Sequence, residues 1–420
     1  MKLSLSSVAA GAALFIALGI AAPADADQPS ATWVTSWATA LQPIPPLVSP
    51  PPLYRAPDIA GRTVRQIVYP TLGGGIAKIH ISNEYGRVPL VIESMGIAPS
   101  AGGAATNARG AARVTFGGRP DVSVPPGGEL DSDPVEIDLR AGVPYAISSY
   151  MGTHQTMTAW HRVSSQLNYV SPPGDHVADA SPAAFAQRFT QYAWVTGLAV
   201  DAPQASTVAA IGDSITDGMR SSLNRNRRWP DALARRLARA QRMDLAVIDL
   251  GISGNRLLSD SPCYGEALER RFERDALRRP GVKTVVLLIG INDINFQVMP
   301  ARTGLDCDAP HTQVSAEDLI AGYKRVIALA HARGVRILGG TLTPASLPPA
   351  RETIRLSVNK WIRTTRAFDD VVDFDAALRD PADPVRLRRE YDSGDHIHPS
   401  DAGYAAMAEA VPLAALTGTR

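Results

Sequence analysis

The chain has 420 residues, 45% of them apolar and 20% charged, and its 42 Lys+Arg against 41 Asp+Glu leave a net charge of +1. That balance excludes nucleic-acid binding through a broad basic face and an acidic disordered tail, while the apolar fraction is that of a packed globular protein. Two cysteines exclude a disulfide-built scaffold and a zinc site made of cysteine alone.

In chain order, Lys2 precedes an apolar stretch from Val8 to Ile20, and Ala24-Asp25-Ala26 follows with small residues at two cleavage-recognition positions. This is the pattern of a secretory signal peptide over residues 1–26. The apolar run falls short of the ~20 residues of a spanning helix, and no later segment supplies one. The expectation is a mature chain starting near Asp27, exported to the periplasm or the medium and not stably inserted in a membrane.

Residues 27–200 read as a β-rich accessory domain. Trp33 to Trp37 and a proline-rich stretch from Pro43 to Pro57 lead into short β-forming runs: Val64–Tyr69, Ile76–Ile81, Leu90–Ile97 and Tyr145–Tyr150. Gly, Pro, Asn and Asp clusters separate them, which predicts an antiparallel, sandwich-like arrangement. Trp160, His161 and Tyr169 could present a stacking face for sugar rings. As ordinary aromatic filling they would line the sandwich core instead, and that is the reading preferred here.

Residues 201–206 look like a linker, and from 207 to 420 strands alternate with helices. Thr207–Ile211, Leu245–Leu250 and Thr284–Ile289 are apolar runs suited to parallel strands buried on both faces, with Val335–Leu338 and Val371–Phe374 as further strands. Helices are expected over Pro230–Gln241, from the capping-box start Ser315 to Asp318 as far as Gly334, and over Asp401–Ala410. The alternation predicts an α/β domain with a doubly wound parallel sheet.

Four polar clusters lie where such a sheet places its crevice. Ile211-Gly-Asp-Ser214-Ile-Thr-Asp-Gly218 follows the first strand, so Ser214 could be a nucleophile whose own N–H begins a helix. Thr216 in place of a second glycine distinguishes it from the Gly-x-Ser-x-Gly elbow. Gly251-Ile-Ser-Gly254-Asn255 and Gly290-Ile-Asn292-Asp293 follow the next two apolar runs and offer the Gly254 N–H and the Asn292 amide as oxyanion donors. Near the end, Asp392-Ser-Gly-Asp395-His396-Ile-His398 could orient His398 as a base through Asp395, one helical turn away. The same four Asp and His residues could instead ligate a metal or cap a turn; alone, the Ser214 cluster reads rather as a turn before a helix, and the Gly254 and Asn292 clusters read equally well as turns.

Taken together and in order, Gly212-Asp213-Ser214, Gly254, Gly290-x-Asn292-Asp293 and Asp395-x-x-His398 resemble the four sequence blocks of the SGNH/GDSL hydrolases, with Ile215 standing where the motif name has Leu. The text around Asn226–Asp231 and Phe374–Asp380 is similar to the xylan-esterase-like bacterial branch. The resemblance spans about residues 205–415. It implies a flavodoxin-like three-layer α/β/α fold and ester hydrolysis with no metal and no other cofactor. It further implies Ser214 as nucleophile, His398 as base, Asp395 as its orienter, and the Ser214 and Gly254 N–H groups with the Asn292 side chain as oxyanion hole.

The expected enzyme is a secreted serine esterase acting on a small-molecule or polysaccharide ester, foremost short acyl (acetyl) groups on carbohydrate. The alternatives are a short-chain lipase or aryl esterase, or a carbohydrate-binding role for the front domain. An exported chain with a single cysteine pair is expected to join Cys263 to Cys307 and so tether two segments at the rim of the crevice.

Overall fold

The computed structural model describes residues 31–417, so the leader assigned to residues 1–26 lies outside the described residues. From Thr32 onward the chain is one compact unit.

Alternating apolar and polar residues make the front half antiparallel: β1 (Trp33–Ala38), β2 (Arg62–Val68), β3 (Gly74–Ser82), β4 (Leu90–Gly102), β5 (Val135–Leu139), β6 (Tyr145–Met151), β7 (Asn168–Pro173) and β8 (Val195–Asp201). In β5, Val135, Ile137 and Leu139 are buried while Glu136 and Asp138 face solvent. The strands stack as two sheets, β1-β8-β3-β5 and β7-β2-β6-β4, each extended by short strands. Val34, Ile79, Ile92, Ile147 and Leu198 share the core between them, as in a sandwich. The proline-rich stretch holds one 3-10 turn, Pro52–Tyr54.

The second half runs β9 (Ser206–Gly212), α1 (Ser214–Asp217), α2 (Trp229–Arg239), β10 (Leu245–Gly251), α3 (Leu268–Phe272), β11 (Val282–Leu288), α4 (Ile291–Phe296), α5 (Ala316–Ala332), β12 (Arg336–Gly340), α6 (Pro349–Thr364), β13 (Asp370–Val372), α7 (Phe374–Leu378) and α8 (Asp401–Ala410). Its sheet is parallel in the order β10-β9-β11-β12-β13, the flavodoxin-like order of a three-layer α/β/α fold. The switch point falls at β9, so the C-terminal ends of β9, β10 and β11 open onto one crevice. Ser315 caps α5 by accepting the Asp318 N–H, completing the expected capping box.

Two local expectations change, and one helix comes in addition. The strand expected over Val371–Phe374 stops at Val372, because Asp373 accepts the Ala376 N–H and caps α7. Helix α6 was not among the expected elements: it opens on Pro349, which fits the first helical turn, and its buried Val358 and Ile362 lie one turn apart on one face. Between β8 and β9 the suggested linker is a tight turn, with the Ala205 N–H donating to the Ala202 carbonyl at 3.0 Å.

The two halves are joined by hydrogen bonds onto backbone carbonyls. The Thr35 N–H of β1 donates to the Pro280 carbonyl at 2.9 Å, and Thr207 Oγ1 of β9 donates to the Thr35 carbonyl at 2.8 Å. Among the described residues no helix is long and apolar enough to cross a membrane.

Candidate active site

Ser214 is the first residue of α1, immediately beyond β9, and Asp213 caps that helix by accepting the Ile215 N–H at 3.0 Å. A helix start leaves its first N–H groups unbonded, so the Ser214 N–H faces the crevice without a partner in its own helix. His398 Nε2 lies 2.8 Å from Ser214 Oγ, and His398 Nδ1 lies 2.8 Å from Asp395 Oδ2. A carboxylate only accepts, so Nδ1 carries the proton and Nε2 accepts from the serine hydroxyl.

The Asp395–His398 contact is not made across a helical turn, as the spacing suggested. Asp395 Oδ1 instead accepts the N–H groups of Ile397 at 3.1 Å and His398 at 2.8 Å, a side-chain-closed turn that locks carboxylate and imidazole together. Burial pushes the Asp395 carboxyl up, but the His398 N–H, the His398 ring and the Ile397 N–H outweigh it and hold the group well below the usual carboxylate range. Arg220 Nε adds a bond to Asp395 Oδ2 at 3.1 Å.

His396 takes no part in this chain. Its Nδ1 pairs with Asp392 Oδ2 at 2.7 Å and its ring is exposed, so the two histidines engage different carboxylates. Among the described residues no three His, Cys, Asp or Glu side chains are grouped as metal ligands.

The other two blocks come from the ends of β10 and β11. Gly254 has a φ of 86° and lies so close to the Tyr264 ring that a Cβ there would sit 2.4–2.6 Å from its carbons. Its N–H donates to no group among the described residues. Asn292, on α4, donates one amide N–H to the Asn255 carbonyl at 2.9 Å, which leaves the second free. Ser214, Gly254 and Asn292 are thus gathered at the ends of three adjacent strands.

A layer of carboxylates below the crevice ties the blocks to one another. Asp293 accepts the N–H groups of Leu257 at 2.8 Å and Leu258 at 3.0 Å. Burial lifts Asp293 to about 6 against the pull of those N–H groups and of Arg256, and burial likewise lifts Asp213 to about 7. Asp217 accepts the Ser253 N–H at 2.8 Å and the Ser253 hydroxyl. The buried Arg271 bonds Asn255 Oδ1 at 3.0 Å and the carbonyls of Leu250 and Gly212. Sequence reasoning assigned these supporting residues no role. Asp217 and Asp293 do lie inside motifs already singled out, as the remaining carboxylates of the first and third blocks.

Cys263 and Cys307 form a disulfide with Cα atoms 5.1 Å apart. It fixes the segment that carries Tyr264, whose ring also packs on Phe296 at 5.6 Å. Segments of the sandwich half reach the same place: Gln42 Nε2 donates to the Cys263 carbonyl, Tyr54 Oη lies 3.1 Å from Cys307 Sγ, and the Arg162 guanidinium lies over the rings of Tyr54 and Tyr264. Trp160, His161 and Tyr169 are all buried, as the preferred reading of them as interior aromatics has it, so they offer no stacking face.

Comparison with known proteins bears on the second half of the chain. Residues 210–406 match the model of the GDSL-like lipase/acylhydrolase family. No curated protein sequence matches the chain. Among solved structures, the chain is similar to a putative lipolytic protein of the G-D-S-L family from Desulfitobacterium hafniense DCB-2, at 19% identity and TM-score 0.37, over 49% of this chain and 97% of that one. It is also similar to the acetylxylan esterase Axe2 from Geobacillus stearothermophilus, at 23% identity and TM-score 0.37, over 49% of this chain and 93% of that one. A third is LAE5, described as an α/β-hydrolase enzyme from the metagenome of Lake Arreo, Spain, at 22% identity and TM-score 0.38, over 51% and 95% of the two chains. Over residues 210–406 the chain is therefore a GDSL-like lipase/acylhydrolase domain, an enzyme acting on esters.

Proposed function

We propose that the protein is a secreted or periplasmic serine esterase that removes short acyl groups, foremost acetyl, from a carbohydrate alcohol through an acyl-enzyme on Ser214. The observation that carries the mechanism is the unbroken chain Asp395–His398–Ser214, with 2.8 Å at each link, beside the Ser214 and Gly254 N–H groups, which donate to no group among the described residues. Ser214 Oγ attacks the ester carbonyl while His398 Nε2 takes its proton, and Asp395 stabilises the imidazolium that forms. The carbonyl oxygen becomes an oxyanion that receives the Ser214 N–H, the Gly254 N–H and the free N–H of Asn292. Collapse breaks the ester C–O bond, and the alcohol leaves with the proton from His398. Water then attacks the acyl carbonyl and gives one proton to His398; collapse breaks the acyl carbon–Oγ bond, His398 returns that proton to Ser214 Oγ, and the carboxylic acid leaves.

Two features support the finer reading. Tyr264, in contact with Gly254, packs on Phe296 and lies under Arg162, which also covers Tyr54, an aromatic and charged cluster suited to a polar alcohol rather than a long hydrocarbon chain. The leader pattern of residues 1–26 and the Cys263–Cys307 bridge both fit an oxidising compartment. The test is to assay the purified mature chain on acetylated xylan, other acetylated glycans and a chain-length series of aryl esters. The expected order of kcat/KM is acetyl first, with a steep fall beyond four carbons. A maximum at eight carbons or more, with no release of acetate from any glycan, would overturn the substrate reading.

A further inference from the structure

We infer that His161, a residue of the sandwich half, is a positioning residue for the oxyanion hole: as a buried imidazolium it holds Asp217, which holds Ser253 and thereby aims the neighbouring Gly254 N–H. The inference rests on the reading of Gly254 as an oxyanion donor.

The charge state follows from what the ring faces. His161 Nδ1 lies 3.1 Å from the Ala40 carbonyl, while Nε2 lies 3.1 Å from the Val163 carbonyl and 2.9 Å from Asp217 Oδ1. Carbonyl and carboxylate oxygens only accept, so both ring nitrogens carry protons and the imidazole is a cation. Burial opposes that charge, but Asp217, with Asp249 behind it, outweighs both burial and Arg228. The ring is 3% exposed and Asp217 1%, so each is the neutralising partner of the other in a water-poor site. Removing the cation would leave a buried carboxylate without its counter-charge.

Asp217 has one oxygen for each side of this relay. Oδ1 is held to the His161 ring by charge at 2.9 Å, without a hydrogen bond of its own because Nε2 donates to the Val163 carbonyl, and Oδ2 accepts both the backbone N–H and the hydroxyl of Ser253. Ser253 immediately precedes Gly254, whose φ is 86° and whose N–H meets no acceptor among the described residues. A carboxylate free to turn would release both bonds to Ser253 together. The peptide that carries the Gly254 N–H would then keep only its flanking anchors, the Ile252 N–H on the Gly212 carbonyl at 3.1 Å before it and Asn292 Nδ2 on the Asn255 carbonyl at 2.9 Å after it, with nothing at Ser253 to set its tilt. On this account the sandwich half completes the hydrolase site and is more than an appendage to it.

The test uses the full mature chain, an aryl acetate and an aryl phosphonate that phosphonylates the nucleophile. His161→Gln keeps a side chain of similar reach but removes the charge. The expected result is a fall in kcat of about 10–100-fold with KM within about twofold, because the Gly254 contact is made to the oxyanion more than to the bound ester. The phosphonylation rate should fall by the same factor, since that reaction builds charge in the same hole. A lowered melting temperature with unchanged kcat per titratable site would mean that His161 only braces the fold, and would overturn the inference. Should His161→Gln not fold, Ser253→Ala cuts the hydroxyl link alone; about a tenfold loss of kcat at constant KM is expected, and full kcat refutes the relay. Phosphonate labelling of Ser214 in the unmodified chain checks the underlying reading separately: failure to label overturns the nucleophile assignment, and the inference with it, whatever the His161 variant does.

Discussion

Adding a single methyl group at Gly254 should disable the oxyanion hole while leaving Ser214 and His398 in place. In Gly254→Ala the new Cβ would lie 2.4–2.6 Å from three carbons of the Tyr264 ring, where ordinary contacts begin at 3.4 Å, so ring and loop must separate by about 1 Å. The ring cannot simply swing aside, because Tyr264 follows the bridged Cys263 and packs on Phe296. The φ of 86° adds about 1–2 kcal/mol of strain for any residue with a Cβ. Both effects push the Gly254 peptide away from its position. Loss of one donor, or its displacement by about 1 Å, costs about 10²–10³-fold in kcat, or roughly 2.7–4 kcal/mol of transition-state stabilisation. The assay is kcat and KM on an aryl acetate, together with thermal unfolding to confirm that the variant is folded. Tyr264→Ala in the same background removes the clash but not the φ strain, so it should recover part of the loss. A Gly254→Ala enzyme with wild-type kcat would refute the assignment of this N–H to the oxyanion.

Ser214→Ala should lower kcat by at least about 10⁴-fold with no change in fold, read by circular dichroism and aryl-ester turnover, and substantial residual activity would remove Ser214 as nucleophile. His398→Ala should be comparably damaging, whereas His396→Ala, at an exposed ring paired only with Asp392, should change kcat/KM little. Because Asp395 is held below the usual carboxylate range, its contribution to stability is complete above the unfolded carboxylate pKa of about 3.9 and is lost only as pH falls through the lower folded value. Asp395 therefore stays charged through the acid limb of log kcat/KM, which should have a slope of one proton; a slope of two would show that the orienting carboxylate titrates as well. The bridge closes a 44-residue separation, worth on the order of 4 kcal/mol by loop entropy, so Cys307→Ser should lower thermal stability and shift acyl-chain preference without abolishing turnover. An unchanged chain-length profile would separate the bridge from the acyl rim.

What the sequence determined by itself is what short-range spacing encodes. Apolar runs such as Leu245 to Leu250 announce buried parallel strands, and Ser315 with Asp318 announces a helix start, because each depends on residues a few positions apart. The four ordered blocks likewise place Ser214, Gly254, Asn292 and His398 just beyond strands or near the chain's end, which suffices to gather them once a parallel sheet forms. The tertiary structure alone decided which groups serve those four. His398 meets Ser214 across 184 positions, and His161 meets Asp217 across two halves that the sequence suggested were separated by a linker. No local pattern distinguishes a histidine that fills a sandwich from one that neutralises a buried carboxylate under an oxyanion loop. That difference arises only when folding removes water from both charges and leaves each as the other's compensation.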